Sequence, residues 1–169
     1  MTVRTWSVAT LRKHERIALD ANVLIYLLEA AERRGSLAAA VLDEVTAGPA
    51  RGSIATIATT EALTGVARSD DAAAFERTAD ALRDLDLDQV PLTAELAVDA
   101  AWLRGRTGLR LADAIHLASA RAAKATAFVT NDRRIRSDDG LTVLYLDDLE
   151  VAGPTISGAG AADEPRGST

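Results

Sequence analysis

Short apolar runs alternate with longer alanine-rich stretches along the chain, and this alternation restricts its fold more than any other feature. The runs RIALD (16–20), SIATI (53–57), DLDQVPL (86–92), TAFVT (126–130) and LTVLYL (141–146) read as buried strands. Between them the spacing predicts helices. One covers 23–34, with Asn22 as N-cap and Gly35 as stop, and continues as helix over 37–45 until AGPARG breaks it. Others carry Glu61, span 71–83, run over 94–104 behind the capping Thr93, and hold the stretch LADAIHLASA. Strands separated by helices predict an α/β fold, a three-layer α/β/α sandwich around a central, mostly parallel sheet of about five strands. In such sheets chemistry collects at the carboxyl ends of the strands, where the strand order reverses.

A chain of 169 residues has room for one ordinary domain. The expected organisation is an N-terminal extension over 1–15, the α/β domain over 16–150 and a disordered tail over 151–169, where Gly, Pro, Ala, Ser and charge leave little to pack. No cysteine is present, which excludes a disulfide framework and a thiolate metal site. No run approaches the ~20 apolar residues of a membrane span, and MTVRTWSVATLRKHER lacks the apolar middle of a signal peptide. The expected location is cytoplasmic.

A net charge of −6 argues at first against a polyanionic partner. The distribution says otherwise. From Arg104 to Arg136 eight basic residues face only Asp113 and Asp132, a local +6 that leaves −12 elsewhere. Arg121 and Lys124 read as solvated helix residues. Arg110, Arg133, Arg134 and Arg136 cluster beside the two acids, which suits a site that handles a phosphate.

Four acids stand in unusual company. Asp20 ends an apolar strand, and with Asn22 available as helix cap it is free to point over the sheet edge. Asp132 follows the strand AFVT, where turn chemistry is the plainer account. Asp113 falls in the first turn of an apolar helix, a position acids also take as helix-terminus charges. Glu61 lies early in the helix after the second strand, and Ala58, three residues before it, cannot complete a capping box. Two strand ends and two helix starts converge on one edge of an α/β layer, and four carboxylates there repel unless a cation neutralises them. Oxygen donors without cysteine select a hard ion, Mg²⁺ or Mn²⁺, and such ions support phosphoryl chemistry. His116, one turn beyond Asp113, reads as a packed core histidine. Neither a Walker loop nor a dinucleotide glycine motif is present.

The segments IALDANVLIYLL, IATTEAL, LRLADAIHLASA and AFVTNDRRIR, in this order, resemble the PIN domain and within it the VapC-type toxins of toxin–antitoxin pairs. The resemblance runs from about Arg16 to Leu146. It implies a Mg²⁺- or Mn²⁺-dependent endoribonuclease with Asp20, Glu61, Asp113 and Asp132 as its acidic quartet. Asp20 and Asp113 would be direct ligands and Asp132 a ligand through water. Asn22 and Thr130 would be supporting polar residues, and His116 structural. Ala21 departs from the Thr or Ser usual between the first Asp and the Asn. A homodimer and a small antitoxin filling the groove are further implications. The local charge pattern, in turn, assigns Arg110, Arg133, Arg134 and Arg136 to steering the RNA backbone. Two other readings stay open. One is an aspartyl-nucleophile phosphatase using Asp20, although Asn22 stands where its second Asp would be. The other is a catalytically silent protein-binding module on the same scaffold.

Overall fold

The computed structural model describes residues 5–29, 32–138 and 140–150, so the expected tail over 151–169 lies outside the described residues. Five strands form one sheet: β1 (Arg16–Leu19), β2 (Arg51–Ala55), β3 (Asp88–Val90), β4 (Ala127–Thr130) and β5 (Thr142–Tyr145). Their order is β3-β2-β1-β4-β5 and every pair is parallel. The helices are α1 (Ala21–Leu28), α2 (Glu32–Ala47), α3 (Thr56–Ala67), α4 (Ala72–Arg83), α5 (Ala94–Thr107) and α6 (Leu111–Ala122).

The pleat explains why the strands read as unbroken apolar runs. Ile17, Leu19, Ala127 and Val129 point to one face and pack with Leu37, Val41 and Val45 of α2. Ala18, Phe128 and Val143 point to the other face and meet Leu96, Ala100 and Leu103 of α5 and Leu117 of α6. Alternate residues thus enter different cores, and a parallel sheet covered on both faces needs apolar side chains at every position. A third cluster joins Ala21 and Leu24 of α1, Ile54 of β2, Ala58 and Ala62 of α3 and Leu82 of α4.

The order of strands places a topological switch beside β1. From β1 the chain steps outward through β2 to β3, then returns to build β4 and β5 on the other side. The loops after β1 and β4 therefore diverge from neighbouring strands and open a crevice at their carboxyl ends.

Several helix limits differ from those expected from sequence. Asp20, not Asn22, is the N-cap of α1, and its carboxylate accepts from the Ala21 amide. The break falls after Leu28, and Gly35 is buried within α2 rather than ending a helix. Helix α5 likewise passes Gly105 and ends at Thr107, where Gly108 supplies the left-handed cap at φ 71°. Asp71, the first residue of the helix expected over 71–83, is the N-cap of α4 and accepts from the Ala74 amide.

Gly52 shows how closely the layers approach. A Cβ there would lie 2.4 Å from both Leu87 Cδ2 and Val45 Cγ1, whereas one on Gly65 in α3 would meet nothing within 4 Å. Gly52→Ala is expected to destabilise the fold by about 1–3 kcal/mol through overpacking. Gly65→Ala, which removes backbone freedom from an exposed helix position, is expected to stabilise it by about 0.5–1 kcal/mol. Urea denaturation of the two variants checks both signs.

Candidate active site

The acids singled out in the sequence form two linked pairs at the carboxyl ends of β1 and β4 and the helices beside them: Asp20 with Glu61 through His116, and Asp113 with Asp132 through Arg134. Asp20 follows the last residue of β1 and is 7% exposed. Three donors hold it: the Ala21 amide at 2.8 Å on Oδ1, and on Oδ2 the Asn22 amide nitrogen at 2.7 Å and the Thr130 hydroxyl at 2.5 Å. Thr130 ends the adjacent strand β4 and is fully buried. Its oxygen also accepts from Asn22 Nδ2 and from the Asp132 backbone amide. The two strand ends on either side of the switch are thereby tied through one hydroxyl.

Glu61 lies in the second turn of α3, later than the first turn expected from sequence. It reaches the crevice through His116 of α6, whose Nε2 lies 2.6 Å from Glu61 Oε2 and 3.7 Å from Asp20 Oδ1. His116 is packed and hydrogen-bonded, and it bridges two members of the quartet. Asp113 stands in the first turn of α6, behind the αL turn at Gly108 that ends α5. Asp132 is folded back by a turn in which its Oδ1 accepts from the Arg134 amide at 2.9 Å. The Arg134 guanidinium grips both Asp132 oxygens and places Nη2 2.9 Å from Asp113 Oδ2. That last contact lies off the hydrogen-bonding direction, so Asp113 Oδ2 remains without a hydrogen-bond partner.

The electrostatics follow from this packing. Burial raises the Asp20 pKa, against the pull of His116, Thr130 and the Ala21 amide. Burial also raises Asp113, with Arg134 opposing and Asp132 reinforcing the rise. Asp132 moves the other way, held down chiefly by its hydrogen bonds from Arg134. For His116, burial disfavours the imidazolium, yet the Glu61 hydrogen bond and the charges of Asp20, Glu61 and Asp113 outweigh it and raise its pKa.

Among the described residues no group of three or more His, Cys, Asp or Glu is arranged as a ready-made ligand set. The donors nevertheless suit a hard divalent ion. They are oxygens, and two buried ones, Asp113 Oδ2 and Asn22 Oδ1, have no hydrogen-bond partner. Asp20 and Asp113 would hold the ion, with Asp132 and Glu61 beside them. An aspartyl nucleophile fits less well, since Asn22 in the third position ties down Asp20 Oδ2 and, as an amide, cannot serve as general acid.

The arginines separate into two groups. Arg133 is bonded to both oxygens of Asp148 and stacks 4.2 Å over the Tyr145 ring, and Arg134 is engaged with the acids. Arg110 and Arg136 are exposed and pair with no acid among the described residues. Sequence reasoning grouped all four as RNA contacts. The partner of Arg134 was foreseeable from the Asp-x-Arg spacing, whereas that of Arg133 lies across a turn and β5.

A pH dependence follows. A histidine whose pKa is raised in the folded state stabilises fully below its unfolded value near 6.5 and loses that contribution as pH rises through the folded value. Ionisation of Asp20, raised by burial, destabilises in the same direction as pH climbs above 3.8. Without divalent ions the urea midpoint is therefore expected to fall between pH 6 and pH 9, and His116→Gln should flatten the slope. A rising midpoint in the wild-type protein would refute these assignments.

Comparisons with known proteins agree with the geometry. The family model of the PIN domain matches residues 17–140. Of the solved structures, a toxin–antitoxin complex from Klebsiella pneumoniae is similar at 25% identity and TM-score 0.59, over 75% of this chain and 95% of that one. VapBC2 from Rickettsia felis, bound to a DNA fragment from their promoter, shares the fold at 17% identity and TM-score 0.62, over 77% of this chain and 98% of that one. Among curated proteins none matches the sequence. The family model covers most of the chain, whose sheet is five-stranded and parallel, and the chain belongs to the PIN domain family.

Proposed function

We propose that this protein is a Mg²⁺- or Mn²⁺-dependent endoribonuclease, the VapC-type toxin of a toxin–antitoxin pair. The observation that carries the reading is the pair Asp20 and Asp113, acids lodged at the switch point of a PIN fold, one of which keeps a buried oxygen without a hydrogen-bond partner. When bound, the ion lowers the pKa of water and neutralises charge that develops on the scissile phosphate. Asp20 and Asp113 hold it. Asn22 and Thr130 fix the rotamer of Asp20, and His116 keeps Glu61 turned into the crevice. Arg110 and Arg136 steer the RNA backbone toward the acids.

Purified protein incubated with a mixed single-stranded RNA pool is expected to cleave with Mg²⁺ or Mn²⁺ and to stop with EDTA. Asp113→Asn should lose ~10²-fold or more, at least what losing a general base costs. RNA held by that inactive variant should dissociate steeply with salt, and Arg110→Ala should lower the slope by ~0.7, as for one phosphate contact on a single strand. Equal cleavage by wild type and Asp113→Asn would reject the site. The product of an adjacent antitoxin gene should block cleavage. The groove between α1 and α3, about 500 Å³, is lined by apolar Ile25, Leu28, Ala62 and Val66 together with Glu29, Glu61, Thr64 and Arg68, and suits an amphipathic segment from such a partner. The support for an antitoxin is the likeness to a toxin–antitoxin complex.

The proposed homodimer finds support on α5. Glu95, Val98, Trp102 and Arg106 recur at spacings of three and four and form one exposed stripe, with Val98 70% and Trp102 67% exposed. Arg106 lies over the Trp102 ring. A two-fold axis between Val98 and Trp102 would set two such helices antiparallel, apolar against apolar and Glu95 against the partner's Arg106. Light scattering should show a dimer weakened by Glu95→Arg or Arg106→Glu alone and restored by the two together. A monomeric wild type at tens of micromolar would remove this surface from consideration.

A further inference from the structure

Arg134 is the one arginine in ion-pair contact with the acidic quartet among the described residues. A single nitrogen, Nη2, faces both Asp113 Oδ2 and Asp132 Oδ2. It therefore sits where a cation shared by two carboxylates would sit. We propose that Arg134 is an exchangeable counter-ion: its guanidinium neutralises Asp113 and Asp132 in the metal-free protein and leaves them when they take up a divalent cation, so that Arg134 sets how tightly that cation is held. This inference rests on the reading of the quartet as a cation site.

Three features make the contact replaceable rather than structural. The Arg134 side chain is 45% exposed, against 17% and 19% for the two acids, so the guanidinium has solvent to move into while the carboxylates do not. Its backbone amide is bonded to Asp132 Oδ1, so the main chain can stay while the side chain swings. Its approach to Asp113 supplies charge without a directed hydrogen bond, and the buried oxygen is left open to a better partner. The hydrogen bonds from Arg134 Nε and Nη2 to Asp132 are the ones the divalent cation must outcompete. The neighbouring Arg133, paired with Asp148 over the Tyr145 ring, is held away from the quartet.

Without an opposing cation, two acids facing the same point repel, and one of them must then take up a proton or turn away. Arg134 removes that cost in the metal-free protein. The same contact opposes metal binding, because a site that is open only part of the time binds with an affinity reduced by that fraction.

The test is a calorimetric titration of the full chain with Mn²⁺, comparing wild type, Arg134→Met and Arg110→Met. If the guanidinium occupies the site about nine-tenths of the time, Arg134→Met should bind Mn²⁺ ~10-fold more tightly. Arg110→Met removes a charge that also acts on Asp113 but makes no ion pair with it, and should change affinity by less than ~3-fold, a screened effect of exposed charge. A second readout is the ¹⁵N–¹H signal of Arg134 Nε, assigned by its loss in Arg134→Met. It should move to the position of free arginines as Mg²⁺ saturates. Equal tightening in both variants, unchanged or weaker binding in Arg134→Met, or an Nε signal unmoved while the Asp113 amide shifts would each overturn the proposal and leave the cation site standing. No Mn²⁺ binding by wild type or Arg134→Met would instead reject the cation site itself.

Discussion

The rest of the site depends on one buried carboxylate. Asp20 sits at the end of the central strand, 7% exposed, where an unpaired charge would be costly. Two of its three hydrogen bonds come from the first turn of α1, the Ala21 amide and the Asn22 side chain, and the third from Thr130 at the end of the neighbouring strand. Satisfying this one group fixes the start of α1 and ties β1 to β4. It also aims Thr130 so that Asp132 turns back toward the crevice.

The sheet makes this possible because β1 occupies its middle. Flanked by β2 and β4 and covered on both faces, the strand can hold its terminal carboxylate largely out of solvent. The helices then add acids from directions the strands cannot reach: Glu61 from α3 on one side and Asp113 from α6 on the other. His116, whose pKa these acids raise, and the Arg134 guanidinium complete the arrangement within hydrogen-bonding or ion-pairing range of those acids. Four carboxylates thus meet two basic side chains, and acid remains in excess. The acids have pKa values pushed in opposite directions by burial and by arginine.

The sequence was informative where a single residue type answers a single physical demand. Apolar residues at successive strand positions signalled a sheet covered on both faces, and Thr93 announced α5 through its hydroxyl. It was less informative where two residues compete for one role. Asp20 and Asn22 are both good caps, and the choice went to Asp20 because its carboxylate reaches the first free amide while Asn22 already lies inside the helix. Gly35 looked like a stop because its burial depends on what packs against α2.

What the sequence determined alone is the architecture and which acids stand in apolar company. Alternating strands and helices leave few parallel arrangements, and carboxylates within apolar stretches require partners wherever the chain places them. Only the tertiary structure decided which partners those are. His116 joining Glu61 to Asp20, and Arg134 standing between Asp113 and Asp132, depend on distances between side chains on separate elements. No spacing along the chain encodes the crossing of α3 over α6 or the fold of the loop after β4. The charges that meet there, and hence the pKa values they share, are set by packing.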